Sequence, residues 1–273
     1  MKNLKSFLLF SLILSMVIVT SCDKNGDFLI FSVNNDISLG ERVAEQIAGD
    51  ETFNILSPEQ YPVSYAYVES IVEDILESED ITYKEEFNWK INIINDPSDA
   101  PVLNAFATPG GQLYVHTGLI YFLDKEDDLA GVIGHEIAHS DQRHGSKQLQ
   151  RQYGISILLS IISGGEASNL AQIAGQIAGT GAVLAFSRDA ESEADDFSVR
   201  YLAGTDYACN GAAAFFKKLL DNEAQRQPEF LSTHPSPENR VEDINARAAE
   251  LNCNTTVDEN SALRYVNFRN SLP

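Results

Sequence analysis

His135-Glu136-Ile137-Ala138-His139 puts two imidazoles and a carboxylate within five residues. On a helix, positions four apart differ by about 40° around the axis, so His135 and His139 project from one face, one turn apart. That spacing lets two imidazoles share one zinc ion, with Glu136 beside them to handle a proton. The chemistry implied is hydrolysis of peptide bonds by a metal-activated water. Hydrolytic zinc sites keep three protein ligands and one open position, so a third ligand must come from elsewhere in the chain. Ser187 to Asp196 offers several carboxylates. Within it Glu191 and Asp195 are four apart and share a face, whereas the position four after Glu193 is Phe197. Spacing therefore selects Glu191 as ligand and Asp195 as the acid that orients a ligating ring through its far nitrogen. Glu193 and Asp196 read as solvated. His144, five after His139 and about 140° around the same helix, cannot join the same ion and reads as structural. His116 reads as a solvated residue or a substrate contact.

These side chains need helices to hold them. The motif follows the apolar stretch Leu129 to Gly134, and the pattern predicts one long helix from Asp124 to Gln150. Ser187 to Ala203 is predicted to be the helix that carries Glu191 and Asp195. Other predicted helices are Asp36 to Asp50, with Leu39, Val43 and Ile47 on one face, Tyr65 to Glu77, Gly211 to Ala224, and Pro237 to Leu251. Phe87 to Ile94 alternates as a strand. Asn104 to His116 reads as two extended pieces around the Pro109-Gly110-Gly111 turn. Gly154 to Phe186 is apolar and small-residue-rich, in two pieces split at Ser163 to Glu166. It reads as a buried helical hairpin, with a lid or a membrane-touching loop as the alternative. Residues 255–273 read as a polar tail with one apolar cluster.

The chain has 273 residues, enough for a sizeable core, with 19 basic against 40 acidic residues and a net charge of −21. That balance excludes nucleic-acid binding through phosphates. The N-terminus is a short basic region followed by an apolar run from Phe7 to Thr20, the length of a signal-peptide core rather than a membrane span. Val19-Thr20-Ser21-Cys22 resembles a bacterial lipobox, with cleavage before Cys22 and acyl chains on it. The expected organisation is a lipoprotein signal peptide at 1–21, a tether at 22–35, a catalytic domain at 36–254 and the tail at 255–273. The expected location is the bacterial cell envelope, lipid-anchored, at the periplasmic face of the outer membrane in preference to the inner membrane. Cys209 and Cys253 lie in Asn-rich loops and are either a disulfide or two separate thiols.

Three separated motifs in order carry a resemblance. HEIAH, then Ser187-Arg188-x-x-Glu191-x-x-Ala194-Asp195, then Thr233-His234-Pro235-Ser236-x-x-x-Arg240 resemble the zinc metallopeptidase family of HtpX, the CAAX prenyl endopeptidases and BepA. Asn104-Ala105-Phe106 and the Pro-Gly-Gly turn look similar as well, and the resemblance spans roughly Leu39 to Leu251. It implies an α+β, mostly helical, zincin-like fold whose small sheet lays an edge strand beside the motif helix. It implies one Zn2+ at His135, His139 and Glu191, with Glu136 as general base. His234 and Arg240 would stand near the open zinc position. A substrate peptide would add to the edge formed around Asn104, Gly110, Gly111, Leu113 and Val115. His234 is a candidate oxyanion donor, or else occupies the open position at rest. Arg240 would hold the site's carboxylates or a substrate carbonyl. The activity expected is endoproteolysis of extended or misfolded envelope proteins. The alternative is a chaperone-like module that holds such clients without cutting them.

Overall fold

The computed structural model describes residues 29–97, 99–180, 184–222, 229–235, 239–256, 258 and 260–273. The proposed signal peptide, residues 22–28 of the tether and Ser236 lie outside the described residues; the rest of the expected tether is packed, with Phe31 buried and a helix beginning at Val33.

Helix α1 (Val33–Ala48) starts where the Ser32 hydroxyl accepts from the Asn35 N–H, an N-cap that satisfies one of the helix's free donors. Leu39, Val43 and Ile47 form its buried face. Helix α2 (Pro62–Leu76) opens on a proline and buries Val68, Ile71, Val72 and Ile75. Strands β1 (Lys90–Ile94), β2 (Ala105–Ala107) and β3 (Gln112–His116) make one sheet in the order β1-β3-β2. β1 runs parallel to β3 and β2 antiparallel to it.

This order corrects the expected substrate edge. β3 is the central strand, so Leu113 and Val115 pair on both sides, with Ile91 and Ile93 of β1 and with Ala107 and Ala105 of β2. The outer strands are β1 and β2. The Pro-Gly-Gly turn also points elsewhere. Gly110 has φ +78° and abuts the backbone of Ile37, while Gly111 lies against Phe87 and Trp89. Their carbonyls accept from Asn88 and Lys90. The Asn104 side chain donates to the Ala178 carbonyl.

Helix α3 (Thr117–Phe122) leads into α4 (Glu126–Asp141), buried along its whole length at the centre of the molecule. The single long helix expected from Asp124 to Gln150 is broken. Arg143 takes a left-handed conformation, φ 58°, and α5 (His144–Tyr153) sets off in a new direction. α6 (Ile155–Ile162) and α7 (Ala167–Ile177) follow and bury Leu158, Ile161, Leu170 and Ile173 with α1 in a second apolar cluster. Among the described residues no helix is long and apolar enough to cross a membrane.

Helix α8 (Arg188–Leu202) packs along α4, where the Ser198 hydroxyl donates to the Gly131 carbonyl. Helix α9 (Gly211–Asn222) also packs closely on α4, at two glycines. A Cβ on Gly131 would stand 2.1 Å from the Ala212 nitrogen, and one on Gly211 would stand 2.0 Å from the Asp127 carbonyl oxygen. Only hydrogen at both positions allows this approach. The short α10 (Glu229–Thr233) and α11 (Arg240–Leu251) complete the site. A disulfide joins Cys209 to Cys253. The expected polar tail contains helix α12 (Ser261–Arg269), whose Tyr265 and Phe268 belong to the main core.

Candidate metal centre

Four side chains meet in the interior: His135 and His139 from α4, Glu191 from α8 and His234 after α10. One ligating atom from each lies within 4.8 Å of the others. The Nε2 atoms of His135 and His139 are 3.0 Å apart. Glu191 oxygens stand 3.4 Å from His135 Nε2 and 3.5 Å from His139 Nε2. Zinc–ligand bonds of about 2.0–2.1 Å in a tetrahedron separate the ligands by about 3.3 Å. The three donor pairs bracket that value, and two imidazoles with a carboxylate suit a borderline divalent ion. His234 Nδ1 is 3.0 Å from Glu191 Oε1, which puts a fourth nitrogen within the same donor set. At most 2% of any of the four is exposed.

Glu136 lies beside the donors with its Oε1 buried, 3.5 Å from His234 Nε2 and without a hydrogen-bond partner. The Ala107 backbone of β2 lies beside its carboxylate and favours the anion. Burial pushes Glu136 up to about 8, the direction expected when a carboxylate loses its hydration. Burial and the neighbouring His135 hold His139 well below the usual imidazole range, so its ring is neutral, as a metal ligand must be. Burial alone would raise Glu191, but His234 and His139 beside it keep it well below the usual carboxylate range.

A second layer surrounds the donors. Asp195 Oδ1 is 2.9 Å from His135 Nδ1, the ring nitrogen that faces away from the cluster. Arg240 donates to Asp195 at 2.8 Å and stands 3.0 Å from Glu191 Oε2. Its guanidinium lies 3.5 Å over the Phe216 ring. Of the two roles open for Arg240, the structure places it on the carboxylates, buried behind the donors. Phe186 stacks on His139 and Phe230 on His234, with centroids 4.1 and 4.2 Å apart. These three aromatics carry no motif, and spacing alone would not have selected them.

Three readings of the sequence are corrected. His116 is buried and pairs with Asp96 at 2.8 Å, tying a loop whose Asp96 also accepts from the Gly118 N–H. His144 Nδ1 lies 3.0 Å from His139 Nδ1, and its Nε2 lies 3.2 Å from Glu193 Oε2. Glu193 is thus engaged rather than solvated. Asp196 bridges Arg200 and Arg247, joining α8 to α11.

Sequence comparison agrees with the geometry. The profile of peptidase family M48 matches residues 62–248. The beta-barrel assembly-enhancing protease of Escherichia coli is 34% identical over 162 residues, covering 55% of this chain and 33% of that protein. The mitochondrial metalloendopeptidase OMA1 of Schizosaccharomyces pombe is 26% identical over 219 residues, covering 77% of this chain and 62% of that protein. OMA1 of Bos taurus is 28% identical over 227 residues, covering 72% and 43% respectively. The chain thus matches about a third of the length of its bacterial relative and less than two thirds of the mitochondrial ones. The family match takes in every donor named above and more than half of the chain, and the protein is a member of peptidase family M48, a family of metallopeptidases.

Proposed function

We propose that this chain is a zinc-dependent endopeptidase of the bacterial cell envelope that cuts extended or misfolded protein segments. The observation that carries this reading is the buried set His135, His139 and Glu191, spaced for one tetrahedral ion, with the orphaned Glu136 Oε1 alongside. Bound there, zinc would polarise the scissile carbonyl and bring a water's pKa down toward neutrality. Glu136 accepts the water's proton and returns it to the departing amine. Asp195 holds the His135 ring, and Arg240 holds Asp195. An extended peptide pairs with the edge strand β2, whose Ala107 backbone lies beside Glu136; strand addition of this kind suits unfolded rather than compact substrates.

The fourth nitrogen makes the described state a resting one. His234 sits within the donor set, with Phe186 and Phe230 against its ring, and the centre is too deeply buried for a peptide to reach it in this state. Entry requires His234 to withdraw. The envelope location rests on the apolar run at 7–20, the lipobox-like Cys22, the disulfide and the similarity to a beta-barrel assembly-enhancing protease. On this reading lipid on Cys22 anchors the enzyme at the periplasmic face of the outer membrane, and its substrates are envelope proteins.

The test uses protein lacking residues 1–22. Metal analysis is expected to find one zinc per chain, and casein to be cut in a chelator-sensitive way. Glu136→Gln should keep the zinc and lose at least about 100-fold of the activity. Full activity in that variant would overturn the mechanism. Zinc-loaded protein that binds unfolded clients yet cuts none would favour a holding module.

A further inference from the structure

His144 and Glu193 are not needed to complete the donor set, yet they form a continuous polar chain that ends on it. Glu193 Oε2 lies 3.2 Å from His144 Nε2, and His144 Nδ1 lies 3.0 Å from His139 Nδ1. His139 Nε2 is the atom facing His135 and Glu191. We propose that His144 and Glu193 are positioning residues that hold His139 in the one tautomer able to bind a metal. The inference rests on the metal-centre reading above.

Proton bookkeeping decides the direction of the chain. A neutral imidazole has one N–H and one lone pair. If His139 is to offer Nε2 to an ion, its proton must be on Nδ1, donated to His144 Nδ1. His144 then carries its own proton on Nε2 and donates it to Glu193. In the opposite arrangement His144 donates from Nδ1. That would set a proton on His139 Nε2, where the ion belongs, and turn a bare His144 Nε2 lone pair toward the Glu193 carboxylate. The Glu193 anion therefore selects the metal-competent arrangement. Both rings are buried, so their nitrogens must find partners within the protein.

The backbone is shaped for this contact. On one unbroken helix His139 and His144 would point about 140° apart. The break at Arg143 swings His144 back over His139. A non-glycine residue in the left-handed region costs about 1 kcal/mol or more, and here it is held by distant contacts. The Arg143 guanidinium donates to the fully buried Asp36 and to the Phe31 carbonyl, both from the start of the described chain.

Orienting partners of metal-bound imidazoles are worth about 10–100-fold in metal affinity. The test is chelator competition for zinc on the wild type, Glu193→Gln, His144→Ala and the double variant, with cobalt substitution to read ligand geometry from the visible spectrum. Glu193→Gln, partly exposed and nearly isosteric, should weaken zinc about tenfold, and His144→Ala by up to about 100-fold. Because the chain is serial, the double variant should be no weaker than His144→Ala, and the cobalt spectrum should shift in all three. Wild-type affinity and spectrum in Glu193→Gln would overturn the proposal, as would losses that simply add. Glu193→Gln decides alone if His144→Ala fails to fold. A wild type that takes up no zinc would overturn the metal centre and the relay with it.

Discussion

Opening the Cys209–Cys253 bond tests how the cover over the centre is held. The two cysteines are 44 residues apart, and the segment they close carries Phe216, Phe230, His234 and Arg240. The bond pins the far end of α11 to the loop before α9, where the Cys209 N–H also donates to the Asn254 carbonyl. In the chain-entropy account, closing a loop of this length removes about 13 cal/mol/K from the unfolded state, or about 4 kcal/mol at 25 °C. At about 2–4 °C per kcal/mol for a chain of this size, the double variant Cys209→Ser/Cys253→Ser should melt about 8–16 °C below the wild type. The assay is thermal unfolding by circular dichroism, with the oxidised and the reduced wild type run alongside. Reduced wild type should match the variant. The same loss should loosen the segment bearing His234, so casein cleavage below the melting range should rise relative to the oxidised protein. A melting shift under about 2 °C would refute the role given to the bond. A shift of the expected size with cleavage unchanged would refute only its link to the cover.

Replacing His234 by Ala should raise casein cleavage several-fold with zinc retained, since it frees the fourth position; a loss of tenfold or more would make His234 an oxyanion donor instead. Burial pushes Asp128, in the first turn of α4, up to about 6. The folded state then holds that proton more tightly than the unfolded chain, so stability falls as pH rises from about 4 through 6 and is flat above. Asp128→Asn should match the wild type near pH 4 and exceed it at pH 8 by up to about 3 kcal/mol in urea unfolding. Equal stability at pH 8 would sink the assignment. Gly131→Ala forces α4 and α9 apart against backbone atoms and should cost at least about 2 kcal/mol. A neutral result in the same urea assay would mean that the crossing is looser than described.

Local periodicity explains what was legible. His135 and His139 share a face because the helix repeat puts them there, and Glu191 and Asp195 are separated by the same four residues on α8. The face Leu39, Val43 and Ile47 was readable for the same reason. What failed depends on contacts between distant residues. Strand order is not a local property, so the two extended pieces around the Pro-Gly-Gly turn gave no sign that β1 would take the far side of β3. Nothing in the residues near Arg143 marks a helix break, because the partners that hold it are Asp36 and Phe31. His144 was misplaced by 140° for that one reason. The last helix, α12, hides its function in a polar sequence. Tyr265 reaches the Ile120 carbonyl, and Arg264 pairs with Glu126 at the start of α4.

Charge explains why Arg240 belongs with the carboxylates. Glu136, Glu191 and Asp195 are all buried within one small volume, and Arg240 is the permanent cation that faces two of them. Once Glu136 gives up its proton to act as a base, three carboxylates face one guanidinium, in a place where unpaired charge is costly. Burial, with the Glu191 carboxylate adding to it, pushes Glu136 up to about 8. A doubly charged ion among His135, His139 and Glu191 closes the count without adding a side chain. A guanidinium committed to a substrate carbonyl would leave Asp195 bare and His135 free to turn. Held where it is, Arg240 turns a set of mutually repelling acids into a site whose missing charge is that of a divalent metal.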